Sequence, residues 1–270
     1  MEQRSKGKFF FFIDSTKNVF SVFFSMGRRA KRTKVFYLVS LLPVAMATLI
    51  KVTRMFSERS DIDGIYIFSN MIVVFYLQFL ILILSLFFGI SVCSEELEGK
   101  TLTYLTTRPV SKSAIVLGKY GAYTSLVILM TVAGLVFSFL ILNANRLLKF
   151  SIYKTLIRDG VVLSLGLICY TAFFTFIGIL LKRSIMFGLL FGFGWESVIQ
   201  YFPGSTQRFS IVHYLKSLLP GQTGGGFSFL LFRLEPSSPA LALFMLFLIT
   251  AFFLGLSCLL FSLREYIIED

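Results

Sequence analysis

The residues of this chain that could do chemistry are few and scattered. Glu95, Glu96 and Glu98 place three carboxylates within one short stretch, and a glutamate pair of this kind could serve an intramembrane protease. The arginine that such a site needs at the matching offset is missing, and no histidine pair follows. His213 is the sole histidine, which excludes a zinc site of the His-Glu-x-x-His kind. It reads as an external or interfacial polar residue. No Gly-x-Ser-x-Gly elbow is present. Cys93, Cys169 and Cys258 each fall in or beside a different apolar run, which gives neither a metal spacing nor a disulfide framework. A phosphate-binding Gly-x-x-x-x-Gly-Lys-Ser/Thr loop is also missing, and Gly192-Phe193-Gly194 reads as packing inside an apolar run. No catalytic residue and no metal site is assigned, and the chain is expected to bind no cofactor itself.

The elements around these residues read as membrane spans. Of 270 residues, 56% are hydrophobic and 33 are Phe, and the mean hydropathy is +0.81. A helix crosses a bilayer with about 20 apolar residues, and the chain holds several such runs. The net charge of +12 does not point to nucleic acid. Its cations collect at span ends, where they meet anionic headgroups and set orientation. The run Phe9 to Ile13 is too short for a signal peptide, and no small-residue cleavage site follows it.

Residues 1–34 form a basic segment. Phe9, Phe12, Ile13, Phe20, Phe23 and Phe24 share one helical face; Asp14, Lys17, Asn18, Ser21 and Ser25 share the other. That pattern predicts an amphipathic helix lying in the interface plane. Arg28, Arg29, Lys31, Arg32 and Lys34 then precede the first span and mark that end as cytosolic. Residues 35–270 read as one domain of six spans. These are about Val35 to Met55, kinked at Pro43; Ile65 to Cys93; Ile115 to Leu142; Gly160 to Leu181; a short fifth from Ile185; and Pro239 to Leu263. Gln78 lies near the centre of the second. Gly188 and Gly192 in the fifth have the spacing of a close helix contact. Glu196 is the one acid well inside a span. A carboxylate there needs a partner. It is a candidate for the translocation path with Gln78, or else a structural acid bonded to a neighbouring helix. Short amphipathic and apolar stretches between residues 203 and 238 predict helices that dip into the membrane without crossing it.

The longest polar interruption in the first half runs from Glu95 to Lys119. Gly99 follows the acids as a helix stop, and Pro109 with Ser111 opens a new helix. Glu96, Glu98, Gly99, Thr101, Leu102, Leu105, Pro109, Ser111, Gly118 and Lys119 resemble the first cytosolic loop of type-2 ATP-binding-cassette (ABC) transporter permeases. Lys100 departs from that pattern by separating Gly99 from Thr101. The resemblance extends over the span layout, from an interfacial "elbow" helix to the re-entrant helices before span six. It implies an all-α polytopic, non-catalytic permease subunit. It further implies a separate ABC ATPase that carries ATP and Mg, and a second permease copy, as a homodimer or with a related permease. Glu95, Glu96, Glu98, Gly99, Thr101, Leu105, Pro109, Ser111 and Lys119 would form the coupling loop. Export across a plasma (bacterial inner) membrane, with both termini cytosolic, is the expected direction. A non-transporting membrane anchor or mechanical subunit of an ABC ATPase complex is the alternative.

Overall fold

A computed structural model describes residues 2–56, 64–98, 111–144, 150–181, 183–199, 205–219 and 237–263. Every element among them is helical. They are α1 (Glu2–Arg29), α2 (Lys31–Ser40), α3 (Leu42–Phe56), α4 (Gly64–Met71), a π-helical stretch (Ile72–Leu80) and α5 (Ile81–Glu98). There follow α6 (Lys112–Leu142), α7 (Phe150–Leu180), α8 (Ser184–Leu189), a second π-helical stretch (Leu190–Trp195), α9 (Glu196–Ile199), a 3-10 turn (Ser205–Phe209), α10 (Ile211–Ser217) and α11 (Pro239–Leu263).

Five of these runs are long and apolar enough to cross a membrane: Lys31–Thr53, Gly64–Val92, Lys112–Leu142, Ile152–Leu180 and Pro239–Leu263. The fifth expected span is the apolar helix Ser184–Trp195, shorter than the other five. At 1.5 Å per residue its 12 residues rise only about 18 Å, against a hydrocarbon core of about 30 Å. Many large apolar side chains point outward, among them Leu38, Leu190, Phe247 and Leu263. In water that surface would aggregate; in lipid it is the solvated face. The chain is an integral membrane protein.

Local sequence accounts for most breaks. Pro43 cannot donate to a carbonyl four residues back, and the helix divides between Ser40 and Leu42 while staying one rod. Ser111 holds extended backbone and its Oγ accepts from the Ala114 N–H at 3.3 Å, so it caps α6.

The centre of the bundle is the crossing of α5 with α7. A Cβ at Gly89 would fall 2.8 Å from Phe174 Cβ and 2.9 Å from the Thr171 carbonyl. One at Gly178 would come within 3.0 Å of the Ile90 Cα. A glycine on each helix thus lets the backbones approach where hydrocarbon gives helices no hydrophobic drive to associate.

Helix α1 packs lengthwise on the first half of α6. Thr16 and Val19 meet Gly118, Phe20 meets Gly121, and Gly27 meets Tyr123 and Leu126, so contact partners advance together along both helices. On the Phe face anticipated for this segment, Phe12, Ile13, Phe20, Phe23 and Phe24 are half-buried, while the Phe9 side chain lies outside those described.

Candidate functional site

The Glu95–Lys119 segment sits between two helices that return to the same end of the bundle. Glu95, Glu96 and Glu98 occupy the final turns of α5. Gly99, Thr101, Leu105 and Pro109 lie outside the described residues. Ser111 is the α6 cap already noted. Lys119 is only 1% exposed. Its ammonium lies 4.7 Å from the centre of the Phe23 ring and 6.0 Å from that of Tyr123, both within cation–π range. Helix α1 covers it, so it faces the interior of this chain.

Just inside that end, Arg32 ties three helices together. Its guanidinium donates to Ser91 Oγ of α5 at 3.0 Å and to the Tyr123 hydroxyl of α6 at 3.2 Å. The Tyr123 ring also packs edge-on against Phe88, with centroids 5.9 Å apart. The planar fork of arginine suits two acceptors on different helices. Arg32, Ser91 and Tyr123 were not separable by sequence: Arg32 is one of five clustered cations, and the other two lie unmarked in apolar runs.

Glu196 is buried at 1% exposure. Its carboxylate accepts from Ser210 Oγ and, at 3.0 Å, from the Ile211 N–H; Tyr170 and the Val212 backbone also face it. These donors surround the start of α10, where the first N–H groups lack intrahelical partners. A negative group there is favourable, so Glu196 works as a helix cap supplied from a remote position.

The far end of α10 is also fastened. Ser217 Oγ donates to the His213 carbonyl at 2.8 Å and accepts from the Ser237 N–H at 3.2 Å. His213 Nε2 lies 3.0 Å from Ser237 Oγ. His213, expected as an external or interfacial polar residue, is buried within the chain, and burial lowers its basicity. Lys216 beside it is buried too, which pushes its ammonium down to about 8, with the Glu196 charge opposing that shift.

Gly188, Gly192 and Glu196 share one face of the helix from Ser184 to Ile199. A Cβ at Gly188 would lie 2.2 Å from Leu86 Cδ1, whereas one at Gly192 would meet nothing closer than 3.6 Å. The close approach therefore belongs to Gly188. Gln78 is half-buried in the first π-helical stretch, next to Phe79, whose ring is 6.3 Å from that of Phe193. Among the described residues no three His, Cys, Asp or Glu side chains gather where they could hold a metal.

Residues 28–195 match the family described as ABC-2 family transporter protein. The chain belongs to that family. The matched region opens at the basic cluster before the first span and closes at Trp195, so it contains the whole Glu95–Lys119 segment and the Arg32 brace. Most of α1 precedes it, and Glu196, α10 and α11 follow it. A comparison with curated proteins found no match. As an ABC-2 protein the chain is a membrane component of an ABC transporter, a class of permease that is generally non-catalytic.

Proposed function

We propose that this ABC-2 protein is the permease subunit of an ABC exporter, with nucleotide hydrolysed on a separate ATPase chain. The observation that carries the reading is the hairpin of α5 and α6. Helix α5 ends at Glu98 and α6 begins at Lys112, so the two flank the Glu95–Ser111 segment, and Arg32 braces them to the first span. A push on that segment would then move three helices as one body, which is what coupling requires of a docking loop. In this reading the helix from Ser184 to Ile199 makes the fifth of six spans. The 3-10 turn and α10 form the re-entrant part before the sixth, and α1 serves as the elbow. The functional unit is a dimer with two ATPases in the bacterial inner membrane, both termini cytosolic.

Affinity purification of the tagged chain from its native membranes should bring down an ABC ATPase, and ATP hydrolysis with it. Replacing Glu96 and Glu98 together by Lys should reduce the copurified ATPase at least tenfold, since reversing a desolvated charge contact costs several kcal/mol, on the order of 2–5. Undiminished recovery would make the loop a mere connector. The complex in liposomes should also move solute vectorially; hydrolysis without movement would favour a mechanical subunit.

A further inference from the structure

At the end of the bundle opposite the Glu95–Lys119 segment, α6 and α7 part to leave an apolar groove of about 390 Å³. Leu135 and Val136 form one wall, and Leu156, Val161 and Ile168 the other. Gly160 lines it without a side chain: a Cβ there would meet only Leu135 Cδ2, at 3.6 Å, an ordinary contact, so a larger side chain would project into the groove. The one hydroxyl on the lining, Ser164, donates to the Gly160 carbonyl of its own helix at 2.7 Å. Among the lining side chains the groove therefore offers a ligand no hydrogen-bond donor along its length. From Leu156 to Ile168 it follows α7 for about 18 Å, roughly the depth of one leaflet.

Two cations stand at its mouth. Lys154 is exposed, and Lys154, Ile157, Arg158, Val161, Leu165 and Ile168 share one helical face. Arg158 donates through Nε and Nη2 to Asp159 Oδ1, at 3.1 and 2.9 Å. The Asp159 side chain is only 2% exposed, so it orients the guanidinium from below. A guanidinium has five N–H donors, and those not turned to Asp159 remain for an outer ligand. Asp159 balances Arg158, and Lys154 supplies the net positive charge. The Tyr153 ring lies tilted beside that of Phe139, centroids 6.0 Å apart, which sets Lys154 close to Leu142, the end of the candidate span in α6. Cations normally gather at the cytosolic ends of spans. In the orientation proposed above these two stand at the opposite, external end, where the positive-inside rule does not place them.

We propose that this groove binds an anionic phospholipid, one acyl chain lying along Gly160 and Val161 and the phosphate held between Lys154 and Arg158. A polar solute fits the mouth but not the groove, and a zwitterionic lipid fits the groove but gains less from the cations. The proposal needs no ATPase and takes only the membrane orientation from the permease reading.

The test is native mass spectrometry of the purified full chain in detergent, with phosphatidylglycerol or phosphatidylcholine of identical acyl chains added. Wild type should retain phosphatidylglycerol in preference. Lys154→Glu, at an exposed position that folding does not depend on, should lower that retention about fivefold or more and leave phosphatidylcholine unchanged. Gly160→Leu, verified as folded by gel filtration and melting, should lower retention of both lipids by filling the groove. Equal retention of the two lipids by wild type, or unchanged phosphatidylglycerol on Lys154→Glu, overturns the proposal. So does displacement of phosphatidylglycerol by glycerol 3-phosphate at equal concentration, which would make the site a reader of free phosphate.

Discussion

A carboxylate taken out of solvent must find donors, and Glu196 finds them at the start of α10. Its worth follows from what its removal strands. Glu196→Ala would leave the Ser210 hydroxyl and the Ile211 N–H buried without an acceptor, at about 1–3 kcal/mol for each such group. Glu196→Gln keeps one acceptor oxygen and loses the charge assistance. In detergent, thermal melting should therefore fall in the order wild type, Gln, Ala, with Ala lower by several degrees. Equal melting of wild type and Ala would remove Glu196 as the anchor of α10. If transport is lost in Gln while melting holds, the acid acts on cargo instead.

At the scale of elements, α1 meets α6 at several points, of which Gly118 is the one crowded against backbone. A Cβ on Gly118 would come within 2.7 Å of Val19 Cγ1 and 2.9 Å of the Thr16 carbonyl, a backbone atom that cannot swing away. Gly118→Leu should thus lift α1 from α6 at a cost of about 1–3 kcal/mol. The loss would also uncover Lys119, which α1 now shields. Limited trypsinolysis of the detergent-solubilised chain should then cut at Arg28 and Arg29 several times faster than in wild type. Gly255→Leu is the matched control, because nothing stands within 4 Å of that position. Equal cleavage of the two variants would mean that α1 is held by something other than this contact.

For the whole molecule the open quantity is direction. The cluster from Arg28 to Lys34 predicts that the amino-terminal end faces the cytosol. This cluster lies toward the end of the bundle where α5 finishes at Glu98 and α6 begins at Lys112, since Arg32 reaches Ser91 and Tyr123. The cluster and those helix ends must therefore share a compartment. Single cysteines at Ser5 and Ser111 should resist impermeant maleimide in intact cells, while those at Ser57 and Ser205 should label. The Ser205 result also decides the short helix from Ser184 to Ile199, which is shorter than the five candidate spans. If Ser205 is protected and Ser57 labels, that helix returns to the side it came from.

The sequence alone determined what depends on composition over a window. Runs of apolar residues long enough for a bilayer marked the five candidate spans, Pro43 marked the break in the first, and Ser111 marked the start of α6, because each is a local property of chain length or backbone chemistry. The family was legible for the same reason, from a loop motif set between two such runs. Tertiary structure decided which atoms meet. In a helix apolar all round no stripe announces the inward face, so nothing local separated Gly188, pressed on Leu86, from Gly192, which has room. The donors to Glu196 come from the far side of a break in the helix. Arg32 differs from its neighbouring cations only by the direction in which the first span points it. Lys119 belonged by sequence to a polar loop, yet it is buried because α1 folds back over α6. Helix rotation and crossing geometry arise from contacts summed over distant segments, and no window along the chain contains them.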